Sequence, residues 1–223
     1  MINLKIAIQK SGRLNEDSLT LLKECGISIN NGKDQLMAQA SNFRLDVLYL
    51  RNSDIPQYVR DGVADIAIIG DNTEKEKKTG IRHVLDLGFS RCRLSIAVPK
   101  NVDFQDISYL QGKKIATSYP NSLKDFLTEN DIEAEIHEIS GSVEIAPNIG
   151  LADAICDLVS SGSTLFKNGL KEVYKIFESQ AILVANSGLC GEKQELLAQL
   201  VFRIKAVLAA KYNKYILLNA PEK

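Results

Sequence analysis

The sequence predicts an α/β protein of two lobes, with mostly parallel sheets and a ligand cleft between the lobes. Short apolar runs typical of buried strands alternate with stretches of helical periodicity, an order that favours sheets covered by helices. A pattern also recurs, since Gly62-Val-Ala-Asp-Ile-Ala-Ile68 returns as Gly150-Leu-Ala-Asp-Ala-Ile-Cys156 after 88 positions. Two lobes built on one plan would explain the repeat. The predicted boundaries are 1–90 plus 179–223 for lobe I and 91–178 for lobe II.

Caps and stops delimit the predicted helices. Asn15 is a favourable N-cap for the first helix, and Gly26 is its stop. Asp54 caps a short helix, and Ser142 takes the corresponding place in the second copy of the repeat. The alternating charges of 74–78 are typical of a solvated helix face. In chain order, strands are predicted over 4–9, 44–50, 66–69, 94–98, 113–117, 135–139, 154–159 and 211–218, and helices over 16–25, 54–62, 123–129 and 164–168.

Composition excludes several classes of protein. A net charge of -1 gives no general attraction for nucleic acid, and no apolar stretch approaches membrane-spanning length. The four cysteines are far apart and the start of the chain lacks an export signal, so we expect reduced thiols in a cytoplasmic protein. His83 and His137 have no other ligand type at metal spacing, and a zinc site is therefore not expected.

The most informative segment runs from Asp157 to Thr164, Asp-Leu-Val-Ser-Ser-Gly-Ser-Thr, directly after a predicted buried strand. Small residues let backbone N–H groups converge on an anion, and hydroxyls add donors. A helix opening at Thr164 would add a favourable dipole, and Asp157 could accept hydrogen bonds from sugar hydroxyls. The loop alone leaves a ribose 5-phosphate site and an ordinary Ser/Gly turn as equal alternatives.

Two other segments end predicted strands at the edge where open α/β sheets bind ligands. Lys10 and Arg13 flank a Ser-Gly turn and suit a polyphosphate, although a solvated basic turn is the alternative. Asp71 could accept hydrogen bonds from adenine or ribose, or cap the following helix. Asp65 and Asp153 occupy equivalent positions at the opposite strand ends, and we expect both to be structural.

The remaining candidates each have two interpretations. Glu144, in the first turn predicted after Ser142, could bind Mg²⁺ through water or complement a helix dipole. Tyr119 could stack on a ring or pack in the core, and Arg91 and Arg93 could face a ligand or the surface.

Over about residues 4–221 the chain resembles the ATP phosphoribosyltransferase family, which catalyses the first step of histidine biosynthesis. The resemblance rests on seven motifs in the right order, and the two-lobed periplasmic-binding-protein-like (type II) fold that it implies agrees with the internal repeat. The motifs are Gln9-Lys-Ser-Gly-Arg-Leu14, Asp54-Ile-Pro56, Gly62-Val-Ala-Asp65, Cys92-Arg-Leu-Ser95, Ala116-Thr-Ser-Tyr-Pro120, Gly141-Ser-Val-Glu144 and Ala152–Leu165.

The resemblance implies transfer of a phosphoribosyl group from 5-phosphoribosyl 1-diphosphate to N1 of ATP, with Mg²⁺. It implies catalytic roles for Lys10, Arg13 and Asp157, and a metal role for Glu144. The residues implied to bind phosphoribosyl diphosphate are Asp157, Ser160, Ser161, Gly162, Ser163 and Thr164. Those implied to bind ATP are Lys10, Ser11, Gly12, Arg13, Asp71, Ser90, Cys92 and Tyr119.

The sequence departs from the family pattern in two places. The family often has glycine where Ser90 and Arg91 stand. The segment 214–221 resembles the long form of the family, whose C-terminal histidine-binding regulatory domain we expect to be absent here. We expect a homo-oligomer, with a dimer favoured, and for a short form a regulatory subunit resembling histidyl-tRNA synthetase. The alternatives are a non-catalytic two-lobed nucleotide- or anion-binding module, and a phosphoribosyltransferase acting on another base.

Overall fold

The computed structural model describes residues 2–30 and 35–211, and the elements within them alternate as predicted. The helices and strands in chain order are β1 (Leu4–Gln9), α1 (Arg13–Glu24), β2 (Met37–Gln39), β3 (Leu45–Leu50), α2 (Ile55–Arg60), β4 (Ile66–Gly70), α3 (Asp71–Lys77), β5 (Arg82–Asp86), β6 (Cys92–Pro99), β7 (Lys114–Thr117), α4 (Pro120–Glu129), β8 (Glu135–Glu138), β9 (Ala154–Val159), α5 (Ser163–Lys167), β10 (Leu170–Ser179), β11 (Ala181–Ala185) and α6 (Gly191–Lys211). Short 3₁₀ helices lie at Ile107–Leu110, Val143–Ile145 and Pro147–Ile149.

Most predicted strands are confirmed within a residue or two, but none of the three predicted N-cap side chains, Asn15, Asp54 and Ser142, makes a capping hydrogen bond. Asn15 lies inside α1, which already begins at Arg13, and its side chain donates to the Gln9 carbonyl at 2.6 Å. Ser142 precedes a 3₁₀ helix with a φ of 52° and makes no capping hydrogen bond. The predicted closing strand at 211–218 and the segment 214–221 lie outside the described residues, except that Lys211 ends α6.

The described residues form two compact units. Unit 1 comprises residues up to 69, 81–87 and those from 182 onward, and unit 2 comprises 70–80 and 88–181. The predicted lobe boundaries are wrong for 70–80, 88–90 and 179–181, which all belong to unit 2. The reason is a set of tertiary hydrogen bonds made by α3, including one from the Asn72 N–H to the Ser179 hydroxyl at 3.0 Å.

The sheet of unit 1 has the order β2-β3-β1-β4-β11-β5. Strands β3 and β4 both pair parallel with β1, whereas β2 pairs antiparallel with β3, and β5 with β11. Its core includes side chains of α2, β4 and β11 that are fully or nearly fully buried, among them Ile55, Val59, Ile69 and Val184.

The sheet of unit 2 has the order β10-β6-β9-β7-β8. One of its faces packs against α4 through residues such as Ile96, Ile115 and Phe126. The other face packs against the 3₁₀ helix after Ser142 and against α5, through residues that include Val143, Ile155 and Leu165. This second face carries the candidate site.

The predicted α/β class is confirmed, and both sheets are mixed, with parallel and antiparallel pairs in each. In unit 2, β7 pairs parallel with β8 and β9, but β6 pairs antiparallel with β9 and β10. Parallel neighbours need a long crossover, such as α4 between β7 and β8. Strand β10 instead follows the five-residue helix α5 almost directly and runs back along β6.

None of the helices in the described part of the chain combines the length and apolar character that crossing a bilayer requires. All four cysteines are free thiols, as the sequence predicts.

Candidate functional site

The Ser/Gly/Thr loop lies at the carboxyl end of β9, as predicted. Gly162 precedes α5 with a φ of +77°, a left-handed conformation that side chains disfavour and glycine adopts freely. The Ser161 and Ser163 hydroxyls are 3.0 Å apart, and both side chains are exposed. Buried Leu165 anchors the helix that follows. The loop therefore presents its hydroxyls to solvent on a fixed backbone.

Asp157 lies on β9, on the face of the sheet that packs against α5, directly opposite Ser95 of β6. Burial raises the pKa of its carboxyl from 3.8 to about 6. The Leu158 N–H donates to this carboxyl at 2.8 Å and lowers the pKa, whereas the negative charge of Glu144 raises it further. Asp157 is thus a largely buried carboxyl that titrates near neutral pH, with a second carboxylate close by.

Tyr119 joins this cluster from the loop between β7 and α4. Burial raises the pKa of its phenol above the usual range, and the negative charges of Asp157, Cys92 and Glu76 act in the same direction. Its ring packs against the core beside α4, and a hydrogen bond links its side chain to Asn72. Tyr119 is therefore a neutral, oriented phenol close to Asp157, and its packing against the core is confirmed.

Glu76 is a residue that the sequence pattern misassigned. The prediction of a solvated helix face is wrong there, because Glu76 is only 6% exposed. Its carboxylate accepts the Asn121 N–H at 2.9 Å, the Ser122 N–H at 2.8 Å and the Ser122 hydroxyl at 2.8 Å. Glu76 of α3 therefore caps the N-terminus of α4, a helix whose own N-cap position supplies no side-chain bond.

Asp71 and Ser90 belong to unit 2, not to lobe I as predicted. The Asp71 carboxylate pairs with the Lys75 ammonium one turn along α3, at 2.5 Å. Ser90 has a φ of 49°, a left-handed conformation that accounts for a preference for glycine at this position.

The basic turn after β1 belongs to unit 1. The Lys10 N–H continues the pairing with β3 by donating to the Leu50 carbonyl at 2.8 Å. Ser11 is exposed, and Gly12 has a φ of +88°, so the chain can turn sharply into α1. Arg13 opens that helix, with its exposed guanidinium 3.8 Å from Asp17. Lys10 and Arg13 thus lie at the carboxyl end of a central strand, as predicted.

Two charged residues, Arg93 and Glu172, form an ion pair beside the Ser/Gly/Thr loop. The Arg93 guanidinium donates from Nε and Nη2 to the two carboxylate oxygens of Glu172. Its third nitrogen, Nη1, donates to the Ser160 carbonyl at 3.1 Å. The sequence alone predicts only that Arg93 faces a ligand or the surface, and no local pattern points to Glu172 as its partner.

The described residues contain no group of three or more His, Cys, Asp or Glu side chains that would hold a metal ion by themselves. Mg²⁺ usually binds one or two protein carboxylates and completes its shell with water and substrate phosphates. The neighbouring carboxyls of Glu144 and Asp157 fit that requirement.

The fold defines the class of protein. Two α/β units with mixed sheets are consistent with the two-lobed periplasmic-binding-protein-like (type II) fold. A substrate-binding protein of an amino acid ABC transporter superposes with a TM-score of 0.61 at 12% identity, covering 93% of this chain and 94% of that chain. This likeness shows the fold alone.

Closer relatives specify the family. A family model for ATP phosphoribosyltransferase matches residues 51–206. The ATP phosphoribosyltransferase of Cytophaga hutchinsonii is 58% identical over 219 residues, covering 98% of this chain and 77% of the relative. That of Phocaeicola vulgatus is 53% identical over 218 residues, with the same coverage. The ATP phosphoribosyl transferase (HisG:HisZ) complex from Thermotoga maritima contains a chain that superposes with a TM-score of 0.80 at 29% identity, covering 93% of this chain and 99% of that chain. The chain belongs to the ATP phosphoribosyltransferase family, as its motifs predict.

Proposed function

We propose that this protein transfers the 5-phosphoribosyl group of 5-phosphoribosyl 1-diphosphate to N1 of ATP. The products are N1-(5-phosphoribosyl)-ATP and pyrophosphate, and the reaction is the first step of histidine biosynthesis. The observation that carries the proposal is family membership supported by relatives that match 98% of the chain. The exposed Ser/Gly/Thr loop after β9, with a largely buried aspartate three residues before it, suits the phosphoribosyl donor.

This reaction depends on the alignment of the two substrates more than on proton transfer. The lone pair of adenine N1 forms the new bond to the anomeric carbon of the ribose, while the bond from that carbon to pyrophosphate breaks. Pyrophosphate leaves with the electron pair of the broken bond. Because N1 carries no proton, no general base has to act on the nucleophile. Catalysis therefore rests on holding the two substrates in line and neutralising the leaving group.

The phosphoribosyl donor is assigned to unit 2. In this proposal the 5-phosphate binds the loop residues, and the Asp157 carboxylate accepts hydrogen bonds from the ribose hydroxyls. A pKa of about 6 leaves that carboxyl mostly ionised at neutral pH, which the role as an acceptor requires. The loop residues are Ser160, Ser161, Gly162, Ser163 and Thr164.

The nucleotide and the leaving group are assigned to two further sets of residues. Lys10 and Arg13 contact the triphosphate or the pyrophosphate, with Ser11 and Gly12 forming the turn between them. Both cations are exposed, so they can reach phosphate oxygens. Asp71, Ser90, Cys92 and Tyr119 are assigned to the adenine nucleotide, and the proximity of Tyr119 to both Cys92 and Asp157 supports this.

The proposal includes Mg²⁺, held by Glu144 and Asp157 together with substrate phosphates. When bound, the ion would neutralise phosphate charge. Glu144 supplies an exposed or partly exposed carboxylate after the turn at Ser142, and Asp157 supplies the neighbouring one.

We further propose that the protein acts in the cytoplasm as a homo-oligomer, with a dimer favoured. The four free thiols suit a reducing compartment. A regulatory subunit resembling histidyl-tRNA synthetase is a possible partner, and the similar chain from Thermotoga maritima comes from a complex of two different proteins.

The test mixes the chain with ATP, phosphoribosyl diphosphate and Mg²⁺, with a pyrophosphatase to pull the equilibrium, and follows the ultraviolet absorbance of N1-ribosylated adenine. We expect a signal that requires all three components. If the protein closes on ATP but shows no turnover, both alone and with a histidyl-tRNA-synthetase-like subunit, the non-catalytic binding module is favoured. Turnover with a different base in place of ATP would favour another phosphoribosyltransferase.

Single substitutions test the residue roles. Asp157→Asn should raise the KM for phosphoribosyl diphosphate. Arg13→Ala should raise the KM for ATP or slow the release of pyrophosphate. Asp153→Asn is the matched control, because Asp153 directly precedes the same strand, β9. In the described part of the chain, its carboxylate Oδ2 accepts a hydrogen bond from the Lys114 N–H at 2.9 Å, which is a structural contact. Unchanged kinetics for Asp157→Asn would remove its proposed role.

A further inference from the structure

One arginine of β6 binds the backbone of the phosphate loop (Ser160–Thr164) at the first residue of the loop. Arg93 stands near the start of β6, and its guanidinium uses all three nitrogens. Two of them bind the carboxylate of Glu172 on β10, and the third binds the carbonyl of Ser160, the first residue of the loop. The Ser95 hydroxyl donates to the same Glu172 carboxylate at 2.8 Å.

The strand register brings this network next to Asp157. In the antiparallel pairing of β6 with β9, Arg93 lies opposite Val159, and Ser95 lies opposite Asp157. Directly opposite residues point to the same face of a sheet. Arg93, Ser95 and Asp157 therefore share one face, at the end of β9 where the loop begins.

The ion pair is shielded from water more than ordinary surface pairs are. The side chain of Arg93 is 32% exposed and that of Glu172 is 25% exposed, whereas Glu178 on the same strand is 74% exposed. Hydrogen bonding to Arg93 lowers the pKa of Glu172, and hydrogen bonding to Glu172 raises the pKa of Arg93. Both groups consequently stay charged throughout the neutral range.

We propose that Arg93, held by Glu172 and Ser95, is a positioning residue that fixes the backbone of the phosphate loop at Ser160 and thereby sets the affinity for the 5-phosphate of the phosphoribosyl donor. This inference rests on the proposed function, since it takes the loop as the donor's phosphate site. Arg93 acts through the loop backbone and contacts no reacting atom.

The geometry requires arginine at this position. A planar guanidinium can bind a carboxylate with two nitrogens and direct a third towards a carbonyl, whereas a lysine ammonium is a point charge on a flexible stem. Lysine at position 93 can keep a charge beside Glu172 but cannot reproduce both contacts in fixed geometry. Glutamine at position 172 keeps the shape but loses the charge and one acceptor oxygen.

The experiment measures kcat and the KM of each substrate for the wild type, Arg93→Lys, Glu172→Gln and the double variant. Each single variant should raise the KM for phosphoribosyl diphosphate about tenfold, the scale of one lost charge-assisted hydrogen bond. The kcat and the KM for ATP should stay within about twofold of wild type. The double variant should resemble the single ones, because either change already releases the loop.

Glu135→Gln is the matched control, a glutamate on β8 of the same sheet whose exposed carboxylate lies 2.9 Å from Nε2 of His137. It should leave both KM values unchanged. Thermal unfolding of every variant separates positioning from folding: a lowered melting temperature with unchanged KM values would leave Arg93 a purely structural role and overturn the inference.

The wild-type result distinguishes this inference from the function on which it rests. Turnover by the wild type with unaltered KM values in Arg93→Lys and Glu172→Gln would overturn the positioning role and leave the function standing. A wild type that neither binds nor turns over phosphoribosyl diphosphate would overturn both.

Discussion

Asp65 and Asp153 stand 88 positions apart in the sequence and make the same pair of hydrogen bonds in two different units. Asp65 Oδ2 accepts the Lys5 N–H at 2.8 Å, and the Asp65 N–H donates to the Lys5 carbonyl at 2.9 Å. Asp153 repeats both bonds with Lys114, at 2.9 and 2.8 Å. In each unit the aspartate ties the start of its own strand to the start of a neighbouring one, so the repeat in the sequence is a repeat in structure.

The surroundings of these two aspartates differ, and this predicts unequal stability effects. Asp65 is 5% exposed and also pairs with the Lys193 ammonium at 2.7 Å, whereas Asp153 is exposed. Asp65→Ala should lower the free energy of unfolding by about 3 kcal/mol, because it leaves a partly buried cation without its partner. Asp153→Ala should cost about 1 kcal/mol, the scale of one ordinary hydrogen bond. Urea unfolding of the two variants makes the comparison, and equal losses would contradict it.

The capping of α4 by Glu76 predicts a stability effect that the sequence of α3 does not suggest. Glu76→Ala should lower the free energy of unfolding by about 3 kcal/mol, since two N–H groups at a helix start and a buried hydroxyl lose their acceptor. Lys77→Ala, at the exposed neighbouring position of the same helix, is the control and should change it by less than about 0.5 kcal/mol. A loss for Glu76→Ala no greater than for the control would show that another group caps α4.

The raised pKa of Asp157 predicts how its contribution to stability changes with pH. Between pH 3.8 and about pH 6, the Asp157 carboxyl holds its proton more tightly in the folded protein than in the unfolded chain. The stability contributed by this group is therefore greatest at acid pH and is lost as the pH rises through that window, by on the order of 2–3 kcal/mol. The stability of Asp157→Asn relative to the wild type should rise progressively between about pH 4 and about pH 6 in denaturant titrations and stay level above that window. A stability difference between the variant and the wild type that stays constant across that range would mean that folding does not raise the pKa of this carboxyl.

The same titration predicts an acidic limb in the activity. If the ionised Asp157 accepts hydrogen bonds from the ribose, kcat/KM for phosphoribosyl diphosphate should fall below a pH of about 6 as that carboxyl becomes protonated. Asp157→Asn should show a lower value without that limb. Asp153→Asn should keep the wild-type profile. An acidic limb that survives in Asp157→Asn would assign it to another group.

The four cysteines should differ widely in reactivity. Burial raises the pKa of Cys25 to about 11 and that of Cys156 further still, whereas Cys190 is exposed. Because the thiolate is the reactive form, Cys25 and Cys156 should react with a thiol reagent more than about a hundredfold more slowly than Cys190 in the native protein. Mass spectrometry of labelled peptides measures this, and unfolding in denaturant should abolish the difference. Rapid native labelling of Cys156 would contradict its burial beneath the site.

Part of the candidate site could be predicted because its signal is local. The apolar run of β9, the carboxyl of Asp157 and the small residues that follow occupy consecutive positions, and together they predict a strand that ends in a loop of small and hydroxyl-bearing residues. The placement of Lys10 and Arg13 at the end of β1 follows from the same reasoning. Capping was less predictable, because Asn15 has the right chemistry for an N-cap but the helix begins two residues earlier.

The amino-acid sequence by itself determined the alternation of strands and helices, the repeat that makes Asp65 and Asp153 equivalent, and the family to which the chain belongs. Only the tertiary structure decided that α3 belongs to unit 2, that Glu76 is buried, and that Arg93 binds Glu172 and Ser160. The physical reason is the separation along the chain between the residues that interact. Periodicity and turn chemistry act over a few neighbouring residues, whereas Glu76 and Ser122 are 46 positions apart and Arg93 and Glu172 are 79 apart. Partners at such separations are selected by how strands pair and pack, which no local pattern records.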